Sequence, residues 1–267
     1  MMATFTNPTT FINAYMYINS IDMRSFILLT IAFCVVGFSS CKEDNPEGTL
    51  TLHFKAVYDG QPLQTFTTHP FEGIQQIQFT HLSMMVADMQ LVDGSTVKDL
   101  DDIELVDLSF DNLTAAEAGY TLTIPNVSTG SYDGIKFGLG VPPDLNQKKP
   151  ADFSSGSPLS KTGYYWIAWN SYIFSKTEGR LDTLGNGVTD LAFTMHTGSD
   201  ALYRAGQGTI PIVIEEGKTT NMNVLLDYKD LLQGVDIKSH PQNHTQSDTS
   251  EIVKIVNNYG TSITLSL

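Results

Sequence analysis

The stretch IQQIQFTHLSMMVADMQLV, residues 74–92, decides the fold class of this chain. Apolar residues fill most of it, and it ends at Asp93-Gly94, a dipeptide that is typical of a tight turn. No helical spacing of apolar residues is sustained along the chain for more than about three turns, which favours extended structure. We therefore predict a long β-strand here.

Shorter runs rich in aromatic and β-branched residues lie on both sides of this strand, each bounded by turn residues. They are residues 50–58, 103–110, 119–125, 134–141, 164–174, 189–196, 209–215 and 219–228. This spacing predicts an all-β fold, an antiparallel two-sheet β-sandwich of about 8–10 strands. A weakly helical pattern around residues 250–257 predicts a short C-terminal helical segment, and residues 261–267 are expected to add a terminal strand.

The N-terminus carries the features of an export signal. Arg24 precedes an apolar run from Phe26 to Val36, and small residues then lead into Cys41. The run is too short and wrongly flanked for a transmembrane span, so it predicts a lipoprotein signal peptide at residues 23–40. For the rest of the chain we expect an upstream extension from a misassigned start at 1–22, an acidic linker at 41–47 and a single domain at 48–267.

The cysteines support lipidation of Cys41. The chain has two cysteines, and Cys34 leaves with the signal, so Cys41 has no disulfide partner. Acylation explains this cysteine and supplies more than one acyl chain for a membrane anchor. Lys42-Glu43-Asp44 resembles the tag that sends lipoproteins of the Bacteroidota to the cell surface. We expect an outer membrane lipoprotein, at the surface or facing the periplasm; a soluble signal peptide and a solvated linker are the alternative.

Charge and missing motifs narrow the function. The formal net charge is −14 and no basic stripe exists, which argues against nucleic acid and anionic membrane surfaces as partners. The chain has no phosphate-binding glycine loop, G-x-S-x-G elbow, H-E-x-x-H or C-x-x-C motif. Because the domain holds no cysteine, thiolate sites are excluded. We do not predict an enzyme.

Histidines are the remaining candidate metal ligands, because imidazole suits copper, zinc and iron. The chain has six of them: His53, His69, His81, His196, His240 and His244. His196 is the best candidate, because it closes an apolar strand at Thr197-Gly198, where side chains converge at a sheet end. A hydrogen-bonded rim histidine fits the same position.

The long strand and the first strand offer two further candidates. In an extended conformation His81, Met85 and Met89 would share one face with Phe79 and Leu91. Such a face is either a site for a soft metal or plain core. His53 alternates with the polar side of its own strand and is either a ligand or a solvated residue.

The tryptophans of the chain, Trp166 and Trp169, lie in the aromatic cluster YYWIAW. Because their numbers differ by three, a regular strand would place them on opposite faces. One indole would then be core, and the other a stacking platform for a ligand or an oxidation target. The other interpretation is a wide aromatic strand that covers the sandwich.

The order of these motifs resembles the MbnP-like copper-binding proteins. GVPPDLN at 140–146 is followed by Pro158-Leu159, by YYWIAWNSYIFSKTEG at 164–179 and by FTMHTG at 193–198. Family members usually carry Trp-x-Trp, and this chain has one residue more between its tryptophans. The resemblance covers roughly residues 48–230 and includes similar opening strands.

The resemblance implies an extracytoplasmic β-sandwich that binds copper through histidine. In relatives, a tryptophan oxidised to kynurenine helps to bind the metal, and a di-haem peroxidase-like partner performs the oxidation. Carried over by position, Trp166 or Trp169 is the modified residue and His196 is a ligand. Ala56 and Gln147 depart from the family, because relatives often carry histidine at these positions.

Two functions follow from the sequence. The first is a lipid-anchored copper-binding protein for storage or scavenging, with His196 as a first ligand, His53 or His81 as the second and Trp166 nearby. The second is a metal-free module that binds glycan or protein at the cell surface through exposed aromatics, with Trp169 as the stacking contact. No motif supports a hydrolase.

Overall fold

The computed structural model describes residues 46–243 and 248–267. The expected upstream extension, the signal peptide, Cys41 and His244 lie outside the described residues. Within the described ranges, no helix is long and apolar enough to cross a membrane.

Two mixed β-sheets form the domain. The smaller sheet contains β1 (Glu47–Tyr58), β2 (Gln61–Pro62), β6 (Tyr120–Ser128), β12 (Thr219–Asp227) and β14 (Ile263–Ser266). The larger sheet contains β3 (Thr68–Pro70), β4 (Gln76–Asp93), β5 (Thr96–Asp107), β7 (Gly130–Leu139), β8 (Tyr165–Trp166), β9 (Ser171–Asp182), β10 (Leu191–Gly198), β11 (Arg204–Ile214) and β13 (Gln242–Asn243). The predicted all-β fold with two sheets is confirmed.

The strand directions differ from the purely antiparallel sandwich that the sequence predicts. β1 pairs with β12 in parallel, and β10 pairs with β13 in parallel. The alternation of buried and exposed residues tells which face of a strand is buried, but it does not tell which strand lies beside it. The sequence pattern of the individual strands therefore could not predict the two parallel pairs.

Four α-helices accompany the sheets in the part of the chain that the structure describes. They are α1 (Leu113–Ala118), α2 (Pro143–Asn146), α3 (Tyr228–Leu231) and α4 (Ser250–Ser262). The predicted C-terminal helical segment is confirmed as α4, and the expected terminal strand as β14. α4 buries Ile252, Ile255 and Val256 against the core. Its Tyr259 hydroxyl donates a hydrogen bond to Ser175 Oγ of β9 at 3.3 Å.

β4 is the long strand predicted at residues 74–92, and it holds the larger sheet together. Its first half pairs with β3 and β9, and its second half pairs with β5 and β7. The register shifts between Phe79 and His81, and again around Asp88, which has a positive φ of 50°. Each shift is a β-bulge, which adds one unpaired residue and reverses the alternation of faces.

The bulges make the single-face prediction for β4 wrong. Phe79, Met89 and Leu91 lie in the main core between the sheets. His81 and Met85 instead face outward, Met85 in a second apolar cluster and His81 in a polar network described below. The alternation of faces with a period of two fails at the two extra residues. The sequence gives no sign of these residues, so the prediction could not include them.

The second apolar cluster lies on the outer face of the larger sheet. Its buried members are Met85, Leu105, Val141, Leu159, Tyr172 and Phe174. Partly buried residues from the segment between β7 and β9, Phe153, Tyr164 and Tyr165 among them, pack against it. Burial of each large side chain contributes about 1.5–3 kcal/mol, so this cluster holds the segment onto the sheet. A polar surface lies beside the cluster, under the same segment.

Candidate functional site

The two tryptophans lie in a tight turn rather than in a regular strand. β8 ends at Trp166, and the Trp169 amide donates a hydrogen bond to the Trp166 carbonyl at 3.1 Å. The turn brings both indoles to one side, where they stack with ring centroids 4.7 Å apart and an interplanar angle of 12°. The expectation of opposite faces is therefore wrong, because the chain reverses direction between the two residues.

The strap, which we define as residues 161–170, crosses the outer face of three neighbouring strands. Below it, β4, β9 and β10 lie side by side in that order. His81 of β4 lies directly opposite Glu178 of β9, and Glu178 lies opposite Thr194 of β10. His196 lies two residues further along β10, on the same face as Thr194.

His196 and Glu178 form the closest pair of titratable groups under the strap. The His196 Nε2 atom lies 2.7 Å from Glu178 Oε1, and the two side chains are 14% and 30% exposed. The hydrogen bond from His196 holds the pKa of Glu178 below its usual range, helped by the nearby charges of His196, His81 and Lys176 and opposed by burial. Glu178 is therefore a carboxylate that accepts a hydrogen bond from the Nε2–H group of His196.

Trp166 lies beside this pair. Its ring meets the His196 ring nearly edge-on, with centroids 6.0 Å apart and an interplanar angle of 64°. Trp169 packs against the main core and against Gly198, where an added β-carbon would lie 3.3 Å from the indole. The ring contact of Trp166 with the imidazole is therefore direct.

His81 is held by hydroxyl groups on both ring nitrogens. Nδ1 lies 3.1 Å from Ser109 Oγ, and Nε2 lies 3.1 Å from Ser83 Oγ and 3.3 Å from the Tyr164 hydroxyl. The Tyr164 hydroxyl in turn donates to Ser83 Oγ at 2.9 Å. A metal ion could take His81 as a ligand by displacing one hydroxyl, because none of these bonds involves a charged partner.

Lys176 fixes the strap to the sheet. Its Nζ atom donates to the Gly163 carbonyl at 2.9 Å and lies 4.2 Å from the centre of the Tyr164 ring. Burial lowers the pKa of Lys176, and the charge of Glu178 partly offsets this effect. A cation over an aromatic ring contributes about 0.5–2 kcal/mol, so this contact helps to keep the strap closed.

His53 is not brought to the other histidines. It lies on the outer face of the smaller sheet, with its ring nitrogens 3.2 Å from Thr121 Oγ1 and 3.1 Å from Asn221 Oδ1. Its neighbours Leu52 and Phe54 point into the main core. The core and both sheets therefore separate His53 from His81 and His196.

The two positions that depart from the family resemblance lie in different surroundings. Ala56 is 2% exposed and belongs to the main core, so its methyl group fills space between the sheets. Gln147 is exposed directly after α2. Within residues 46–243 and 248–267, no group of three or more His, Cys, Asp or Glu side chains is gathered as a metal cage.

Sequence reasoning missed Glu178, Lys176 and Tyr164 as parts of the site. Lys176 and Glu178 lie on the same face of β9 as the apolar Tyr172 and Phe174, so this face changes from apolar to charged halfway along the strand. That change in the sequence of β9 indicates a polar surface. The pairing of Glu178 with His196 could not be predicted, because it depends on which strands are neighbours in the sheet.

Asn146 is a further missed residue, and it ties α2 to the start of β9. Its Oδ1 atom accepts hydrogen bonds from the Tyr172 amide at 2.7 Å and from Ser171 Oγ at 3.1 Å. Its Nδ2 atom donates to Asp200 Oδ1 at 2.7 Å. Asn146 is 6% exposed, so these bonds replace contacts with water.

The fold and this face define a single β-sandwich with an imidazole–carboxylate pair covered by an aromatic strap. The family model of MbnP matches residues 47–248, and the chain belongs to the MbnP family. This family is associated with methanobactin-related copper handling and is in general copper-binding and non-catalytic.

A solved structure agrees with this fold. MbnP from Methylosinus trichosporium is similar with a TM-score of 0.54 and 14% sequence identity, over 82% of this chain and 98% of that chain. At this identity the likeness is one of fold. The sequence matched none of the curated proteins with which it was compared.

We predict that Asn146→Ala lowers the free energy of unfolding by about 2–4 kcal/mol, because it leaves the Tyr172 amide and Asp200 without their buried partner. Chemical denaturation followed by tryptophan fluorescence measures this change. Gln147→Ala is the matched control, since its side chain is exposed, and it should change the stability by less than about 0.5 kcal/mol. Equal effects of the two substitutions would contradict the assigned role of Asn146.

Proposed function

We propose that this protein is a lipid-anchored copper-binding protein that stores or scavenges the metal outside the cytoplasm. The observation that carries the proposal is the His196–Glu178 pair at 2.7 Å beside Trp166, on a face that the strap covers. Membership in the MbnP family supports copper as the metal. His196 is the first ligand in this proposal.

The residues around His196 fit copper by their chemistry. Imidazole nitrogen is a preferred donor for this metal, and a neighbouring carboxylate either adds an oxygen donor or orients the ring. Glu178 is ionised and already bonded to the imidazole, so it is suited to both roles. Bound copper would add a positive charge here, which the Glu178 carboxylate offsets.

His81 is the second ligand in this proposal, and His53 is not. His81 lies opposite Glu178 in register, and its hydrogen bonds to neutral hydroxyls are exchangeable. His53 lies on the outer face of the other sheet, bonded to Thr121 and Asn221. The proposal therefore uses three adjacent strands, with His196 and His81 as ligands and Glu178 as an oxygen donor or as the residue that orients the His196 ring. Because these side chains are not gathered as a metal cage in the described residues, copper binding would draw them together.

Trp166 is the residue that we propose for oxidation to kynurenine. It makes the direct ring contact with His196, whereas Trp169 packs against the core. Kynurenine carries an aromatic amine and a carbonyl group, which add donor atoms next to the imidazole. The resemblance implies a di-haem peroxidase-like partner as the oxidant.

We predict that His196→Ala raises the Kd for copper by more than about 100-fold, because loss of a direct ligand exceeds the roughly 10–100-fold effect of an orienting residue. Glu178→Gln should raise the Kd by about 10–100-fold. The measurement is copper titration by calorimetry, together with metal content after dialysis.

His53→Ala is the matched control for these variants and should bind copper as the unchanged protein does. Unchanged stoichiometry in His196→Ala would remove this residue from the ligand set. Loss of copper in His53→Ala would move the site to the smaller sheet. Circular dichroism of each variant distinguishes loss of a ligand from loss of the fold.

Protein isolated from its own host, grown with added copper, should carry kynurenine at position 166 and an intact indole at 169. Peptide mass mapping of the segment that contains both residues measures this, and fragment ions separate the two positions. The same peptide from a recombinant host without the oxidising partner serves as the control. An unmodified Trp166 in native, copper-loaded protein would contradict the proposal.

Lipidation at Cys41 predicts the fractionation of the protein. The unchanged protein should sediment with membranes, and Cys41→Ser should appear in the soluble extracytoplasmic fraction, because one modified residue carries the anchor. Cys34→Ser, which changes the other cysteine, should leave the fractionation as it is. Membrane association of Cys41→Ser would overturn the proposed anchor.

The alternative function, a metal-free interaction module, has one observation in its favour. Ile167 is 85% exposed at the tip of the tryptophan turn, which is unusual for a large apolar side chain. This position favours a protein partner over a glycan, because the two indoles stack on each other and cover one face of each ring. Loss of partner capture in Ile167→Ser with full copper binding would favour this function.

A further inference from the structure

A groove opens at the edge of the sandwich that is formed by β11. It lies between the inner face of β7 and β11 on one side and α4 and β14 on the other, with a volume of about 310 Å³. Its apolar walls include Phe137, Leu139, Val256, Tyr259 and Leu265. None of its lining residues belongs to the candidate copper site.

β11 carries glycine at two positions on the face that lines the groove. In the pairing of β11 with β7, Gly206 lies opposite Phe137 and Gly208 lies opposite Ile135. Residues that lie opposite each other in an antiparallel pair share a face. Phe137 and Ile135 point into the main core, so positions 206 and 208 point there as well.

The space next to the Cα atom is occupied at Gly208 and open at Gly206. A β-carbon added to Gly208 would collide with the Leu265 side chain of the opposite sheet. A β-carbon added to Gly206 would have no atom within 4 Å. Gly206 is itself exposed, so the space above it is open to a ligand that enters from outside.

Arg204 gives the groove a charged end. It lies opposite Leu139, two residues before Gly206 on the same face of β11. Its Nη1 atom donates to the carbonyls of Ala201 and Tyr203 at 2.8 and 2.9 Å, which orients the guanidinium group. Among the described residues, Arg204 is in none of the ion pairs.

The positive charge of Arg204 favours a ligand with an anionic group. Arg204 is the single charged side chain among the residues that line the groove, in a chain whose formal net charge is −14. A guanidinium group binds a carboxylate through a pair of parallel hydrogen bonds. Apolar walls with one convergent charge are the usual design of a small-molecule site.

We propose that this groove binds a fatty acid, with its carboxylate at Arg204 and its chain over Gly206 between Phe137 and Tyr259. The site is a second binding site of the protein and does not depend on copper. Gln207 and Asn257 also line the groove and supply polar groups near its rim.

The test is calorimetric titration with decanoate of the full chain carrying Cys41→Ser. This substitution removes the residue that we propose to be lipidated, so that no acyl chain of the protein competes with decanoate. Decanoate should bind with 1:1 stoichiometry. Arg204→Gln should weaken this binding by about 10-fold or more, the effect of losing a charged hydrogen-bonding partner. Gly206→Leu should abolish it, because the new side chain fills the groove.

Two controls make the result specific. Arg180→Gln removes an arginine that donates to the Thr189 carbonyl outside the groove, and it should leave decanoate binding unchanged. Decyltrimethylammonium, which has the same chain and the opposite charge, should bind at least about 10-fold more weakly than decanoate. Arg204→Lys should restore part of the affinity that Arg204→Gln loses.

Absence of saturable decanoate binding to the chain with an intact groove would overturn the proposal. Equal binding of decyltrimethylammonium, or equal weakening by Arg180→Gln, would overturn it as well, because both would show adsorption of an apolar chain without recognition of the anion. Thermal unfolding checks that Gly206→Leu is folded, and Arg204→Gln decides the question if it is not.

Discussion

The two bulges of β4 are the constraint on which the rest of the structure depends. The first turns His81 outward toward the strap, and the second returns Met89 and Leu91 to the core. Without the first bulge, the alternation that buries Phe79 would bury His81 too, at a cost of several kcal/mol for a polar ring without a partner. The outer polar face and the inner apolar face of one strand are thus consequences of two inserted residues.

The strap is a second layer that depends on this arrangement. It is held by the apolar cluster around Tyr172 and Phe174, by Lys176 and by the hydroxyl network of His81. These contacts come from different physical sources, which are burial, a cation over a ring and neutral hydrogen bonds. A ligand that replaces the hydroxyls of His81 would leave the other two in place, so the cover over the site does not have to open as a whole.

Prediction from sequence succeeded where one local pattern was sufficient. Most of the strands, the helix at residues 250–262 and the position of His196 near the end of an apolar strand follow from spacing and turn residues. The single strand predicted at residues 164–174 is wrong, because this stretch contains β8, the tryptophan turn and the start of β9. Prediction also failed for the faces of His81 and Met85, for the two indoles and for the separation of His53 from His196. Each failure comes from a feature that local spacing does not encode: a bulge, a reversal of the chain, or the choice of neighbouring strand.

The parallel pairing of β1 with β12 has a consequence for the order of folding. His53 and Asn221, which are hydrogen-bonded across this pair, are separated by 168 positions in the chain. The central strand of the smaller sheet therefore has no partner on that side until nearly the whole domain has been synthesised. Closing so long a loop is slow, so β1 remains an unpaired edge during synthesis, and the finished sandwich forms only after the last strands have been released.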